Sequence, residues 1–347
     1  MSCSVRAGAV LVSLAIGGCS TTAEVGGGDQ ALPTAQAGPF RSLTEDEIGG
    51  SRIAPYVIDD ADDEVVGLTV LDTDGDPHTL ATVAYGIELR SGTVWRFAAS
   101  DGRSFARAGE MVLEPSEAWE SEALDSVAAI RVSQGADVGQ VALYYAAGGA
   151  IGLATSIDGV AFTKRAQPIV RAEDLGLVGQ LAAPAVVEIE VGVYAMFFEL
   201  RDVDGVRIYE ARSANGVDWK LADPAPVLEP GLSSVDTLSV ADPEAVTMIS
   251  AIGRHVTWLY YSATDTQGQR VIAAAARHQG GRFMPAASPV FGSDGLFAPR
   301  APAVVRFATF SLLFVTQRAG STDNRDYEAT AASVAPASAV LPPPIAP

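Results

Sequence analysis

Nucleophilic and metal-binding side chains are sparse in this 347-residue chain, and carboxylates are abundant. The three histidines, His78, His255 and His278, are far apart and lack the close spacing of a metal site. There is no Gly-x-Ser-x-Gly turn to expose a serine and no Gly-Lys-Ser/Thr loop to cradle phosphate. Asp plus Glu number 42 against 23 Lys plus Arg, a net charge of −19. Just after the acidic stretch Asp59 to Glu64 comes the turn Asp72-Thr73-Asp74-Gly75-Asp76. Asp72, Asp74 and Asp76 are oxygen ligands of the kind Ca²⁺ takes. The run lacks the remaining ligands of an EF-hand loop and reads as a solvated acidic turn, so no cofactor is expected. A surplus of acid this large repels phosphate backbones and argues against nucleic acid as a partner. Lys164 and Lys220 are the only lysines, so no polybasic patch exists for anionic lipid.

Both cysteines, Cys3 and Cys19, fall near the N-terminus. Residues 7–16 are almost wholly apolar, too short to span a bilayer and of the length of a secretory h-region. The run ends in Ile16-Gly17-Gly18-Cys19, which resembles a bacterial lipobox. That resemblance implies a signal peptide over 1–18 and acylation of Cys19. It implies a flexible tether over 19–38 and a place in the bacterial cell envelope, on the outer membrane or its periplasmic face. With Cys3 removed, the mature domain has no disulfide and depends on packing.

The elements that must position any site are set by a repeat. Asp101-Gly102, Asp158-Gly159 and Asn215-Gly216 are spaced by 57 residues, and Gly280-Gly281 gives a weaker fourth copy. Such pairs suit a two-residue type I′ hairpin turn, which needs positive φ at both central positions. An aromatic follows each: Phe105, Phe162, Trp219 and Phe283. Apolar strands are expected before the turns, over 93–98, 151–155, 206–211 and 271–276. Aromatic strands are expected over 141–145, 193–198, 256–261 and 310–315, with Tyr144-Tyr145, Phe197-Phe198 and Tyr260-Tyr261 in the core. Each unit would open with a strand led by proline, as at Pro184, Pro243 and Pro302, or less regularly at Pro55 and Ser126. Proline costs no ladder donor at a strand's first residue. Four strands per unit and five units over 39–335 predict an all-β fold, a five-bladed β-propeller. The segment 39–47 is expected to supply the outer strand that closes the ring. A Pro-rich tail occupies 336–347.

This order of proline-led strand, aromatic strand, turn and Pro-Val-Leu strand resembles the five-bladed propeller glycoside hydrolases. These are the arabinanase/β-xylosidase and invertase/levansucrase types. The resemblance implies carboxylates at the starts of the innermost strands, facing a central cavity. One would protonate the leaving oxygen while another activates water or attacks the sugar. The corresponding positions here are Ala54, Asp125, Ala183, Asp242 and Ala301. Asp242 is the implied catalytic carboxylate, with Asp125 orienting substrate or tuning it. Glu244 or Glu199 is the candidate second carboxyl, and Arg300 a candidate substrate-binding residue. Alanine at three of five positions favours a catalytically degenerate module that binds glycan or an envelope protein. An active glycoside hydrolase is the alternative.

Overall fold

The structure, a computed structural model, describes residues 40–43, 58, 65–73, 78–133, 138–249, 255–278, 280–292, 298–307, 310–320 and 326–336. The lipobox segment with Cys19, the residues Ala54, Asp74 and Asp76, and the tail beyond Pro336 lie outside them.

The described chain is all-β and forms five antiparallel sheets. The first holds β2 (Val65–Asp72), β3 (Thr82–Glu88), β4 (Thr93–Ala99) and β5 (Ala106–Leu113). The second holds β6 (Ser126–Arg131), β7 (Val141–Ala147), β8 (Ala150–Ser156) and β9 (Thr163–Lys164). The third holds β10 (Gln180–Glu190), β11 (Val193–Asp202), β12 (Gly205–Ser213) and β13 (Lys220–Leu221). The fourth holds β14 (Ser239–Ile249), β15 (His255–Thr264), β16 (Arg270–His278) and β17 (Met284–Pro285), with β18 (Phe291–Gly292) also on β16. In the last, β19 (Arg300–Arg306), β20 (Phe310–Gly320) and β21 (Asp326–Pro336) are joined by β1 (Arg41–Ser42). The first strands touch in the cyclic order β2, β6, β10, β14, β19 and back to β2. Sheets arranged radially around such a ring make a β-propeller. Its closure is the pairing of Arg41 with Val334 and Ser42 with Ser333, within the segment expected to supply it.

The turns join third and fourth strands as expected, but they are not two-residue type I′ turns. Asp101 Oδ1 accepts the N–H groups of Arg103 and Ser104, Asp158 Oδ1 those of Val160 and Ala161, and Asn215 Oδ1 those of Val217 and Asp218. Only the glycines are at positive φ, Gly102 at +75° and Gly159 and Gly216 at +71°. A side-chain acceptor thus replaces the tight backbone turn and leaves a longer loop before the outer strand.

The loop length brings each turn aromatic against the preceding sheet rather than over its own hairpin. Phe162 meets Tyr85 edge-to-face, Trp219 meets Tyr144 and Phe283 meets Phe197, at 5.5, 6.0 and 5.6 Å between centroids. Phe105 meets Phe314 of the last sheet at 5.5 Å, and Phe40 beside β1 meets Tyr260 at 6.2 Å. All five sheet-to-sheet contacts therefore carry the same pair, each stabilising by about 0.5–1.5 kcal/mol beyond its burial. The tyrosine hydroxyls add a bond: Tyr85 Oη donates to Gly159 O and Tyr144 Oη to Gly216 O, at 2.8 and 3.0 Å. A Cβ on Gly159 or Gly216 would lie 2.8 or 2.7 Å from that hydroxyl, so glycine is required for approach as well as for φ. The aromatic pairs of the second strands are core, since Tyr144, Tyr145, Phe197, Phe198, Tyr260 and Tyr261 are each at most 2% exposed.

Two expectations about the first strands change. Pro184, Pro243 and Pro302 lie inside β10, β14 and β19 rather than at their first residues, each at a register shift. A bulge removes the need for a ladder donor, and so accepts proline within a strand. Among the described residues the first unit opens with β2, whose register shift falls between Val66 and Thr69, and Pro55 lies outside them. The residue equivalent to Asp242 is therefore Gly67, at φ +60°, and not Ala54.

Candidate functional site

The bulges set one mouth of the central channel. Ala183, Asp242 and Ala301 are the non-glycine residues at positive φ among the described residues, at +44°, +48° and +49°. Each strained residue points its N–H at a side chain of the preceding sheet. Gly67 N–H is accepted by Thr316 Oγ1 at 3.0 Å, Ala183 N–H by Ser126 Oγ at 3.0 Å, and Asp242 N–H by Glu199 Oε1 at 2.6 Å. Ala301 N–H is shared by Ser262 Oγ and Asp242 Oδ2 at 3.1 and 3.2 Å. Glu199, Ser262 and Thr316 occupy equivalent positions on their second strands, facing the bulge of the first. Serine or threonine is enough to hold a bulge, so a glutamate there supplies something more.

Glu199 Oε2 accepts Arg201 Nε at 2.6 Å, and Arg201 Nη1 reaches Asp125 Oδ2 at 3.1 Å. Asp242 Oδ2 accepts the Ser262 hydroxyl at 2.8 Å. The mouth thus joins Asp125, Arg201, Glu199, Asp242 and Ser262 in one chain of contacts across three sheets. Glu199 is 1% exposed, and burial together with the Asp242 charge holds its carboxyl above the usual range, against the pull of Arg201. Asp125 and Arg201 are open, with side chains 49% and 43% exposed. They form one wall of a pocket of about 370 Å³ whose other walls include Ser121, Gly148, Gly149 and Gln180.

Of the other expected site residues, Glu244 lies along the channel and Arg300 stands beside the Ala301 bulge at the mouth. Glu244 sits two residues along β14 and lines the channel with Thr69, Ala128, Val186 and Val304. Its Oε1 accepts Val304 N–H at 3.3 Å, as Thr69 Oγ1 accepts Ala129 N–H at 3.0 Å. Channel space leaves part of its surface accessible, yet protein surrounds the carboxyl, and desolvation pushes its pKa up to about 8. Arg300 precedes the bulge of β19 and pairs with Thr316. Asp72 ends β2 and also lines the channel, and among the described residues no His, Cys, Asp and Glu group is set to hold a metal.

Arg201 was missed by sequence reading. Its signal was present: Glu199-Leu200-Arg201 puts two charges on one face at the end of an otherwise apolar strand, where period two demands a shared partner. Chemically, Asp125 offers acceptors and Arg201 donors, a combination that hydrogen-bonds neighbouring hydroxyls. Glu199 has both oxygens engaged by protein and is closed to a substrate.

No protein-family model matches the sequence, and no curated protein matches it either. Solved structures do resemble the fold. A thermostable family-43 glycoside hydrolase aligns with TM-score 0.60 and 12% identity over 80% of this chain and 90% of that one. The endo-arabinase from Bacteroides thetaiotaomicron VPI-5482 aligns at 0.58 and 11%, over 80% and 96%. The alpha-L-arabinofuranosidase from Lactobacillus brevis aligns at 0.57 and 13%, over 78% and 90%. The chain shares its β-propeller fold with these glycoside hydrolase-type structures.

Proposed function

We propose that this chain is a five-bladed β-propeller that binds a glycan at the Asp125–Arg201–Asp242 mouth without cleaving it. The observation that carries the reading is the ring of bulges. Of its four strained positions, three hold Gly67, Ala183 and Ala301, and only Asp242 brings a carboxylate. Hydrolysis needs two working carboxyls, and the nearest second one, Glu199, is buried with both oxygens committed. The five-blade count is supported by the five sheets and five aromatic joints, and a polysaccharide partner by the fold's likeness to glycoside hydrolase propellers.

The alternative is an active hydrolase with Asp242 and Glu199 as its carboxyl pair, favoured by their mutual charge and the raised pKa of Glu199. Glu244 would then tune the channel, and Arg300 would contact substrate. In either case Cys19 is proposed as the lipidated residue that tethers the propeller to the cell envelope. Cys19→Ser should then move the protein from the membrane to the soluble fraction.

Titration calorimetry of the purified protein against arabinan, xylan and pectic oligosaccharides tests the binding reading. We expect saturable binding to one of them, weakened at least tenfold, about 1.4 kcal/mol, by Arg201→Met. Absence of binding to all three, or binding untouched by both Arg201→Met and Asp242→Asn, would refute it.

A further inference from the structure

Part of the mouth pocket is walled by a loop with no strand ladder of its own. Residues 114–124 run between β5 and β6 without a strand. Ser121, Ala123 and Leu124 of this loop line the pocket beside Asp125, the residue that follows it. Backbone outside a ladder keeps one conformation only where neighbouring groups fix it.

Three points fix this loop. Leu124 N–H donates to Gly92 O at 2.9 Å, and a Cβ on Gly92 would lie 2.3 Å from that of Ala123. A Cβ on Gly148 would lie 2.2 Å from Trp119 O, so the loop backbone sits in a notch that only glycine leaves open, and the Trp119 ring stacks on Tyr145 at 5.8 Å. The third point is Glu120, next to Ser121, whose side chain is fully buried. Its Oε2 accepts Ser116 N–H at 2.7 Å, Glu117 N–H at 3.0 Å and Lys164 Nζ at 2.6 Å, and its Oε1 accepts the Tyr145 hydroxyl at 2.7 Å. Burial opposes ionisation, but these bonds outweigh it and hold the carboxyl below its ordinary range. Lys164, one of two lysines in the chain, reaches Glu120 from the outer strand β9. It also donates to Glu114 O at 2.8 Å and Ser116 Oγ at 3.1 Å. All three protons of this ammonium thus go to one loop, where a lysine on a two-residue edge strand could have pointed into water.

We propose that Lys164 is a positioning residue for the glycan: acting through Glu120, it fixes the 114–124 loop in the shape that receives the sugar. This role rests on the binding of glycan at the mouth. A wall ordered before the ligand arrives loses less conformational entropy on binding. Without the ammonium, Glu114 O and Ser116 Oγ lose their donor, and a buried carboxylate loses its cation. Ser121, Ala123 and Leu124 would then leave the arrangement that lines the pocket.

The test is titration calorimetry of the purified full chain with the best-bound of the arabinan, xylan and pectic oligosaccharides, well below each variant's Tm. Lys164→Met should weaken binding at least fivefold, and Lys164→Arg should restore it to within twofold of the wild type. In the free protein, Lys164→Met should speed amide hydrogen exchange over 114–124. Gly216→Ala is the control for general destabilisation. Its added Cβ meets Tyr144 Oη at 2.7 Å on the third sheet, so it should lower Tm and leave Kd within twofold. Should Lys164→Met fail to fold, the nearly isosteric Glu120→Gln reports instead, with binding weakened at least threefold. A wild type that binds none of the glycans would refute the binding reading and this role with it. A wild type that binds, matched by Lys164→Met or Glu120→Gln, would overturn this role alone. So would unchanged exchange over 114–124, or an equal loss of affinity in Gly216→Ala.

Discussion

Glu199 and Glu210 stand on neighbouring strands, β11 and β12, and begin alike. Each is almost fully buried, at 1% and 3% exposure. Each takes a hydrogen bond from the Nε of an arginine two residues on, Arg201 at 2.6 Å and Arg212 at 3.0 Å. Their second partners differ. Glu210 is gripped from the next sheet by Arg277, with bonds of 2.6 and 2.7 Å, and that guanidinium lies 4.5 Å from the Phe283 ring centroid. Glu199 instead receives the N–H of Asp242 together with the repulsion of its carboxylate. One Glu-x-Arg pattern thus closes the wall between two sheets, while the other leaves a charged, half-open arginine beside Asp125. Position relative to the channel, not the motif, separates stabilising work from site work.

Breaking the wall should have the largest effect. Arg277→Met leaves Glu210 with only the half-exposed Arg212, and should cost about 3–5 kcal/mol of stability, read from the urea midpoint. A loss below about 1 kcal/mol would mean that the wall owes little to this pair.

The channel side should show itself through pH. The Glu244 carboxyl is pushed from 4.5 up to about 8, so the folded state holds this proton more tightly than the unfolded chain. Its contribution is complete below about pH 4.5, and stability is lost as pH rises through 8. The ceiling is about 5 kcal/mol at about 1.4 kcal/mol per unit, reduced by water in the channel. Glu244→Gln should therefore match the wild type at pH 5 and exceed its stability at pH 9. Parallel stability curves for the two proteins would show that the carboxyl is already ionised in the fold. Glu199, also raised, acts in the same direction.

A smaller effect belongs to the turns. Gly159→Ala adds a Cβ 2.8 Å from Tyr85 Oη at φ +71°, and should cost about 1–2 kcal/mol. Gly176→Ala, also at φ +71° but with nothing near its Cβ, supplies the control for backbone strain alone. Equal losses would remove any role for the tyrosine contact. Gly176 closes the short 3₁₀ turn Glu173–Leu175.

Much of this architecture is legible in the sequence. The 57-residue spacing of Asp101, Asp158 and Asn215 locates three of the turns, and the aromatic following each marks what seats it against its neighbour. The first unit was harder to read because its bulge carries Gly67 and lacks the proline that marks Ala183, Asp242 and Ala301. Phe40 could not be recognised as the fifth turn aromatic, since its strand joins β21 from the far end of the chain. At the site, Asp242 and Asp125 are visible as acids directly before Pro243 and Ser126, whereas Arg201 depends on a cross-sheet contact that local patterning cannot express.

The central claim is that the mouth binds sugar without cutting it. It is tested most directly by incubating the protein with its best-bound oligosaccharide and following binding and released sugar in the same sample, beside Asp242→Asn. Asparagine is nearly isosteric and tolerates the positive φ at this position, so the variant should fold. The account predicts saturable binding by the wild type, weaker binding by Asp242→Asn, and no release by either. Release by the wild type that Asp242→Asn abolishes would contradict it and identify the protein as a glycoside hydrolase.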